Sequence, residues 1–106
     1  MAWMILIVAG LLEIVWAFTM KLSQGFTRGV PTAVTILAMS ASFALLSISM
    51  KTLPLGTAYT VWTGIGAVGA FAVGVVALAE PLTLGRVLAA AFIIAGLVLM
   101  KLSTSS

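Results

Sequence analysis

Four stretches of about 20 residues each, 3–20, 31–50, 57–79 and 85–102, are almost wholly apolar and are separated by short polar borders. As a helix, a run of that length spans the roughly 30 Å hydrocarbon core of a bilayer. The helix is favoured in lipid because it satisfies every backbone N–H and C=O within one segment. The pattern predicts an all-α membrane protein: one domain of four transmembrane helices, joined as a hairpin bundle, with no soluble domain. Each border carries a charge or a helix breaker: Lys21 with SQGFTRG, Lys51 with TLPLG, Glu80-Pro81 with Arg86, and Lys101 with STSS. The opening MAWMILIVAG lacks a basic segment ahead of its apolar run, so it reads as a retained span and not as a signal peptide.

Composition narrows the chemistry. The chain has no His and no Cys, and only two acids, Glu13 and Glu80. That removes the usual general base, the thiolate nucleophile and the common zinc ligands. With no acid pair within one chain and no phosphate-binding loop, the sequence argues against an enzyme and points to no metal or cofactor. Five basic residues give a net charge of +3 but are scattered, so nucleic acid is not an expected partner.

An even number of spans puts the N-terminus, the second loop and the C-terminus on one side. Lys51, Lys101 and the α-amino group lie there, against Lys21, Arg28 and Arg86 on the other. The positive-inside rule therefore decides nothing. Either something subtler than loop charge orients the chain, or it has dual topology, with opposite copies pairing as an antiparallel homodimer. Four short helices cannot enclose an aqueous site alone, which favours an oligomer.

Glu13 stands inside the first span, in AGLLEIVWAF. At about 1.5 Å per residue it lies roughly 15 Å into the span, near the midplane. An ionised acid there is penalised by about 2.5–3.5 kcal/mol on insertion scales. No base is expected at that depth, so Glu13 is neutral alone and charged when a cation sits beside it. A proton and a cation then compete for one site. The competing reading is a protonated Glu that bridges helices by hydrogen bonds. Gly10, Trp16 and Ala17 lie on the Glu13 face, at helical spacings. Gly10 leaves room there, and Trp16 offers a π face. In the third span Tyr59 and Trp62 are three residues apart, and the three rings can line a cation pocket. An interfacial aromatic belt is the alternative, above all for Tyr59. Ser42, near the middle of the second span, either bonds the carboxylate or a ligand, or bonds back to its own helix. Gly64, Gly66, Gly69 and Gly74 permit close packing or a bend in the third span. The fourth span, with Ala91, Ala95 and Gly96, reads as a packing helix and a dimer contact. Glu80 reads as a solvated helix-end acid.

These residues, in this order, resemble the small multidrug resistance family of bacterial four-helix exporters. The resemblance covers essentially the whole chain and rests on LLEIVWAF, KTLPLGTAYTVWTGIGAVGA and AGLVLMKLS. It implies a multi-pass protein of the bacterial inner membrane, working as an antiparallel homodimer. It also implies proton-coupled antiport, with Glu13 of both subunits holding either protons or the exported cation. Tyr59 and Trp62 carry over as site residues, and Gly64 and Gly66 as the hinge of the third helix. Trp16, three residues after the Glu, resembles the guanidinium-exporting subtype, in which Ser42 and Trp16 organise the carboxylate and the cation. TMKLSQGFTR is shared with, or leans toward, the subtype that exports quaternary ammonium and other hydrophobic cations, which is the alternative function; Thr60 stands where that resemblance has Ala, and the small-residue run TILAMSASFALL opens a lipid-side portal to bulkier substrates. Two readings from other classes are a non-transporting protein that uses Glu13 for assembly, and a channel, which the lack of a polar stripe argues against.

Overall fold

The structure is a computed structural model that describes residues 1–103, so the polar tail beyond Ser103 lies outside the described residues. Four helices account for most of the chain: α1 (Ala2–Leu22), α2 (Gly29–Ser49), α3 (Leu55–Ala77) and α4 (Leu84–Ser103). The shortest, α4, has 20 residues, enough at about 1.5 Å per residue to cross a bilayer core.

The helix ends follow from local chemistry. Beyond α1, the Ser23 hydroxyl donates to the Met20 carbonyl at 2.7 Å and accepts the Phe26 N–H at 3.0 Å. Gln24, Gly25 and Phe26 then turn the chain with φ of 50°, 77° and 65°. Pro31 sits in the first turn of α2, where its missing N–H is not needed. The apolar run of the third span continues to residue 79, but α3 stops at Ala77. The reason is a left-handed Ala79 (φ 56°) that lets the Glu80 N–H return to the Gly74 carbonyl at 3.1 Å. Pro81 follows and cannot extend the helix. At the start of α4 the Thr83 hydroxyl accepts the Arg86 N–H at 3.2 Å, as a capping side chain does.

The helices pack as the hairpins α1–α2 and α3–α4 in a flat, open layer. The Cα trace measures 43 × 34 × 16 Å. Four helices side by side at the usual 8–10 Å spacing fill a width of about 34 Å. Within the layer α1 packs on both α2 and α3, α2 also touches α3, and the backbone of α4 comes close to α3 alone. Small residues set these contacts. A Cβ on Gly10 would stand 2.7 Å from Ile65 Cγ2, and one on Gly64 2.6 Å from Leu97 Cδ2. Gly69 is filled by Ile14. The buried apolar residues Leu6, Ala9, Leu46, Leu53, Ala58, Val61 and Trp62 gather toward one end of the layer. There Lys101 Nζ stands 4.7 Å over the Trp3 ring, tying the end of α4 to the start of α1. No described residue of α4 is buried.

At the other end a polar seam joins α1 to α2. Thr19 and Thr35 share a hydrogen bond at 2.6 Å, and Thr35, fully buried, also donates to the Pro31 carbonyl at 2.7 Å. A double-mutant cycle with Thr19→Val and Thr35→Val should give a coupling of about 0.6–1.7 kcal/mol, the range for interhelical hydrogen bonds in membranes. Reversible unfolding in micelles measures it; strictly additive losses would show that the pair does not hold the seam.

Candidate functional site

The site is assembled where α2 and α3 meet over α1. The fully buried Ser42 Oγ donates to the Ala9 carbonyl at 2.7 Å. The same oxygen accepts Trp62 Nε1–H at 2.9 Å. Three helices are thereby joined through one hydroxyl. A hydroxyl has a single proton to donate, and here it goes across to α1, neither to its own helix nor to Glu13. Trp62, buried on α3, is thus held in orientation by α2.

Glu13 lies one turn farther along α1. Its carboxylate occupies the space that a side chain on Gly66 would fill, and a Cβ there would overlap it. Glu13 Oε1 is buried with no hydrogen-bond partner, and Trp16 Nε1 is in the same condition. Thr32 Oγ1, near the Thr19–Thr35 seam, is the third such atom among the described residues. Unpaired polar atoms in a buried setting cost about 1–3 kcal/mol each, and Glu13 and Trp16 bring two of them to one face of α1.

The aromatic residues form a row. Trp16 meets Phe43 edge-on, with centroids 6.2 Å apart at 73°. Phe43 meets Trp62 at 5.7 Å and 57°. Trp62 meets Tyr59 at 5.7 Å and 41°. Phe43 is the link that the sequence reading missed. Its only signal was being the lone aromatic in a small-residue run beside Ser42. Tyr59 is 54% exposed and, among the described residues, bonds to no carboxylate. It lines an apolar cavity of about 560 Å³ between α3 and α4, with Thr60, Thr63, Gly64 and Ile93.

Of the residues singled out from sequence, Glu13, Trp16, Ser42 and Trp62 lie in this region, and Tyr59 joins at its rim. Gly10 is occupied by Ile65, so the space beside it is packed rather than open. Gly64 and Gly66 stand within an unbroken α3 and serve different faces, Gly64 toward Leu97 of α4 and Gly66 toward Glu13 of α1. Among the described residues no group of His, Cys, Asp or Glu could hold a metal ion. The arrangement can hold one proton or one organic cation at a carboxylate beside π faces.

Residues 1–93 match the family described as Small Multidrug Resistance protein. The chain is 52% identical over 104 residues to the guanidinium exporter of Yersinia pseudotuberculosis serotype I, covering 98% of this chain and 100% of that one. It is 53% identical over 104 residues to the guanidinium exporter of Citrobacter freundii, with 98% and 99% covered. It is also 53% identical over 103 residues to the guanidinium exporter of Salmonella typhimurium strain LT2, with 97% and 98% covered.

Gly66→Ala should destabilise the protein by about 1–3 kcal/mol, as overpacking does, because a Cβ would land on the carboxylate. Gly56→Ala, where a Cβ meets open space, should cost nothing on that account. Thermal unfolding of both variants in micelles compares them, and equal stabilities would remove Gly66 from the carboxylate pocket.

Proposed function

Because the chain belongs to the Small Multidrug Resistance family, we propose that it is a proton-coupled antiporter that exports guanidinium ion across the bacterial inner membrane. It works as an antiparallel homodimer with dual topology. The observation that carries this reading is the unpaired Glu13 carboxylate resting on Gly66, with the unpaired Trp16 Nε1 on the same face.

The chemistry follows from these groups. Guanidinium is planar, and its paired N–H donors match the fork of a carboxylate. The row Trp16–Phe43–Trp62–Tyr59 offers π faces to a flat cation. Two Glu13 side chains, one from each copy, bind either one guanidinium or two protons, and they titrate as a coupled pair. From the cytoplasm the cation displaces protons, and at the outer face protons displace the cation. Inverted copies let the two end states be one structure with roles exchanged. If two protons enter per cation leaving, one net charge moves inward, worth about 2.3 kcal/mol per 100 mV of membrane potential.

Gly64 and Gly66 act as the flexing point of α3. One contacts α4 and the other the Glu13 carboxylate, so movement there alters both contacts together. The apolar cavity beside Tyr59 supports a second reading: the same carboxylates accept quaternary ammonium and other hydrophobic cations.

In liposomes, Glu13→Gln should abolish exchange of labelled guanidinium; undiminished exchange would refute the shared site. Ser42→Ala and Trp16→Gly should slow exchange while the dimer stays folded, and a wild-type rate excludes the residue concerned. An imposed proton gradient should drive guanidinium uphill against it, and a protonophore should collapse that uptake. A side-by-side panel of guanidinium, methylguanidinium and tetraethylammonium should show the planar ions preferred. Equal rates for the tetraalkyl ion would favour the second reading.

A further inference from the structure

α1 and α4 flank α3 and leave a groove between them. At one end of the groove Lys101 stands over Trp3, beside an apolar cavity of about 300 Å³. At the other end the groove opens into a cavity of about 380 Å³ between α1, α3 and α4. The mouth of that cavity is charged: Lys21 from the last turn of α1, Arg86 from the first turn of α4, and Glu80 from the connection between α3 and α4. Its wall is apolar, built from Phe18, Ala70 and Phe71 among others. The charges sit at helix ends, where the hydrocarbon core gives way to head groups, and the wall runs inward from them.

We propose that this cavity is a binding site for one anionic phospholipid, with its phosphate at Lys21 and Arg86 and an acyl chain along Phe18, Ala70 and Phe71. Charge complementarity selects this occupant. Two cations outnumber one acid at the mouth, and basic pockets between transmembrane helices suit anionic head groups. The Glu80 carboxylate lies against Gly74 on the α3 wall of the cavity, while Lys21 and Arg86 come to the mouth from α1 and α4. The first turn of α4 adds the positive end of its dipole. The lipid would supply α4 with a neighbour on its α1 side, where the protein gives it none at this end. Glu13 itself does not line this cavity, whose inner end is formed by Ala17 and Ala67, and the inference does not rest on any transport activity.

The test uses the full chain in a neutral detergent, titrated with phosphatidylglycerol, phosphatidylcholine or inorganic phosphate. Retained lipid is read by native mass spectrometry, and stability by thermal unfolding. Phosphatidylglycerol should be retained tenfold or more over phosphatidylcholine and should raise the unfolding temperature. Lys21→Gln with Arg86→Gln should bring that ratio to about one, since each cation near the surface is worth roughly fivefold. Glu80→Gln should strengthen phosphatidylglycerol binding several-fold. Ala70→Leu should weaken retention of both lipids by crowding the wall. Equal retention of the two lipids by the wild-type chain would overturn the proposal. So would an unchanged ratio in the double variant, or weakened binding in Glu80→Gln, which would mark the mouth as a cation site. Stabilisation by inorganic phosphate equal to that by the lipid would overturn it as well, by showing that the acyl wall takes no part.

Discussion

A carboxylate in hydrocarbon has to be neutralised by a proton or by a cation, and among the described residues no basic side chain is paired with Glu13. Lys21 and Arg86 line a cavity at the helix ends, and Lys101 is engaged over Trp3. Glu13 is accommodated sterically by Gly66 but left electrically incomplete. The surrounding groups make sense in that light. Aromatic rings offer a cation attraction without offering it a second permanent charge. The buried Trp16 Nε1 and Glu13 Oε1 are groups that a guest or a second copy can complete.

The open layer has a related cause. Between helices in lipid there is no hydrophobic drive to wrap a core, because acyl chains are as apolar as Leu. Helices approach where small residues let them, as at Gly10 with Ile65, Gly69 with Ile14 and Gly64 with Leu97. Elsewhere they are held by hydrogen bonds, through Ser42 at one level and the Thr19–Thr35 pair at another. Where neither device operates the helices part, and α4 is left without a buried residue. An acyl chain, or a second copy of the chain, is then as good a neighbour as another helix.

Much of this was legible in the residues. Spans follow from run length, and the depth of Glu13 follows from a count multiplied by the helical rise. The spacings of Gly10 and Trp16 about Glu13 place them on one face, because three and four residues make one turn. Phe43 was not legible as a link between Trp16 and Trp62, since that depends on how α2 is rotated against α1 and α3. Nor was the direction of the Ser42 proton. A serine in a helix has its own backbone carbonyls in reach, and only the approach of Ala9 offers a better acceptor.

The amino-acid sequence by itself determined that the chain is four apolar helices with one acid near mid-depth, flanked by glycine and tryptophan. Those features depend only on composition along a single axis. The tertiary structure decided that α1 packs on both α2 and α3, that Gly66 receives the carboxylate, and that α4 packs on α3 and leaves a cavity beside Lys21 and Arg86. Those depend on the rotation and register of one helix against another. In lipid that choice is made by close packing and a few interhelical hydrogen bonds, neither of which leaves a periodic mark on any one segment.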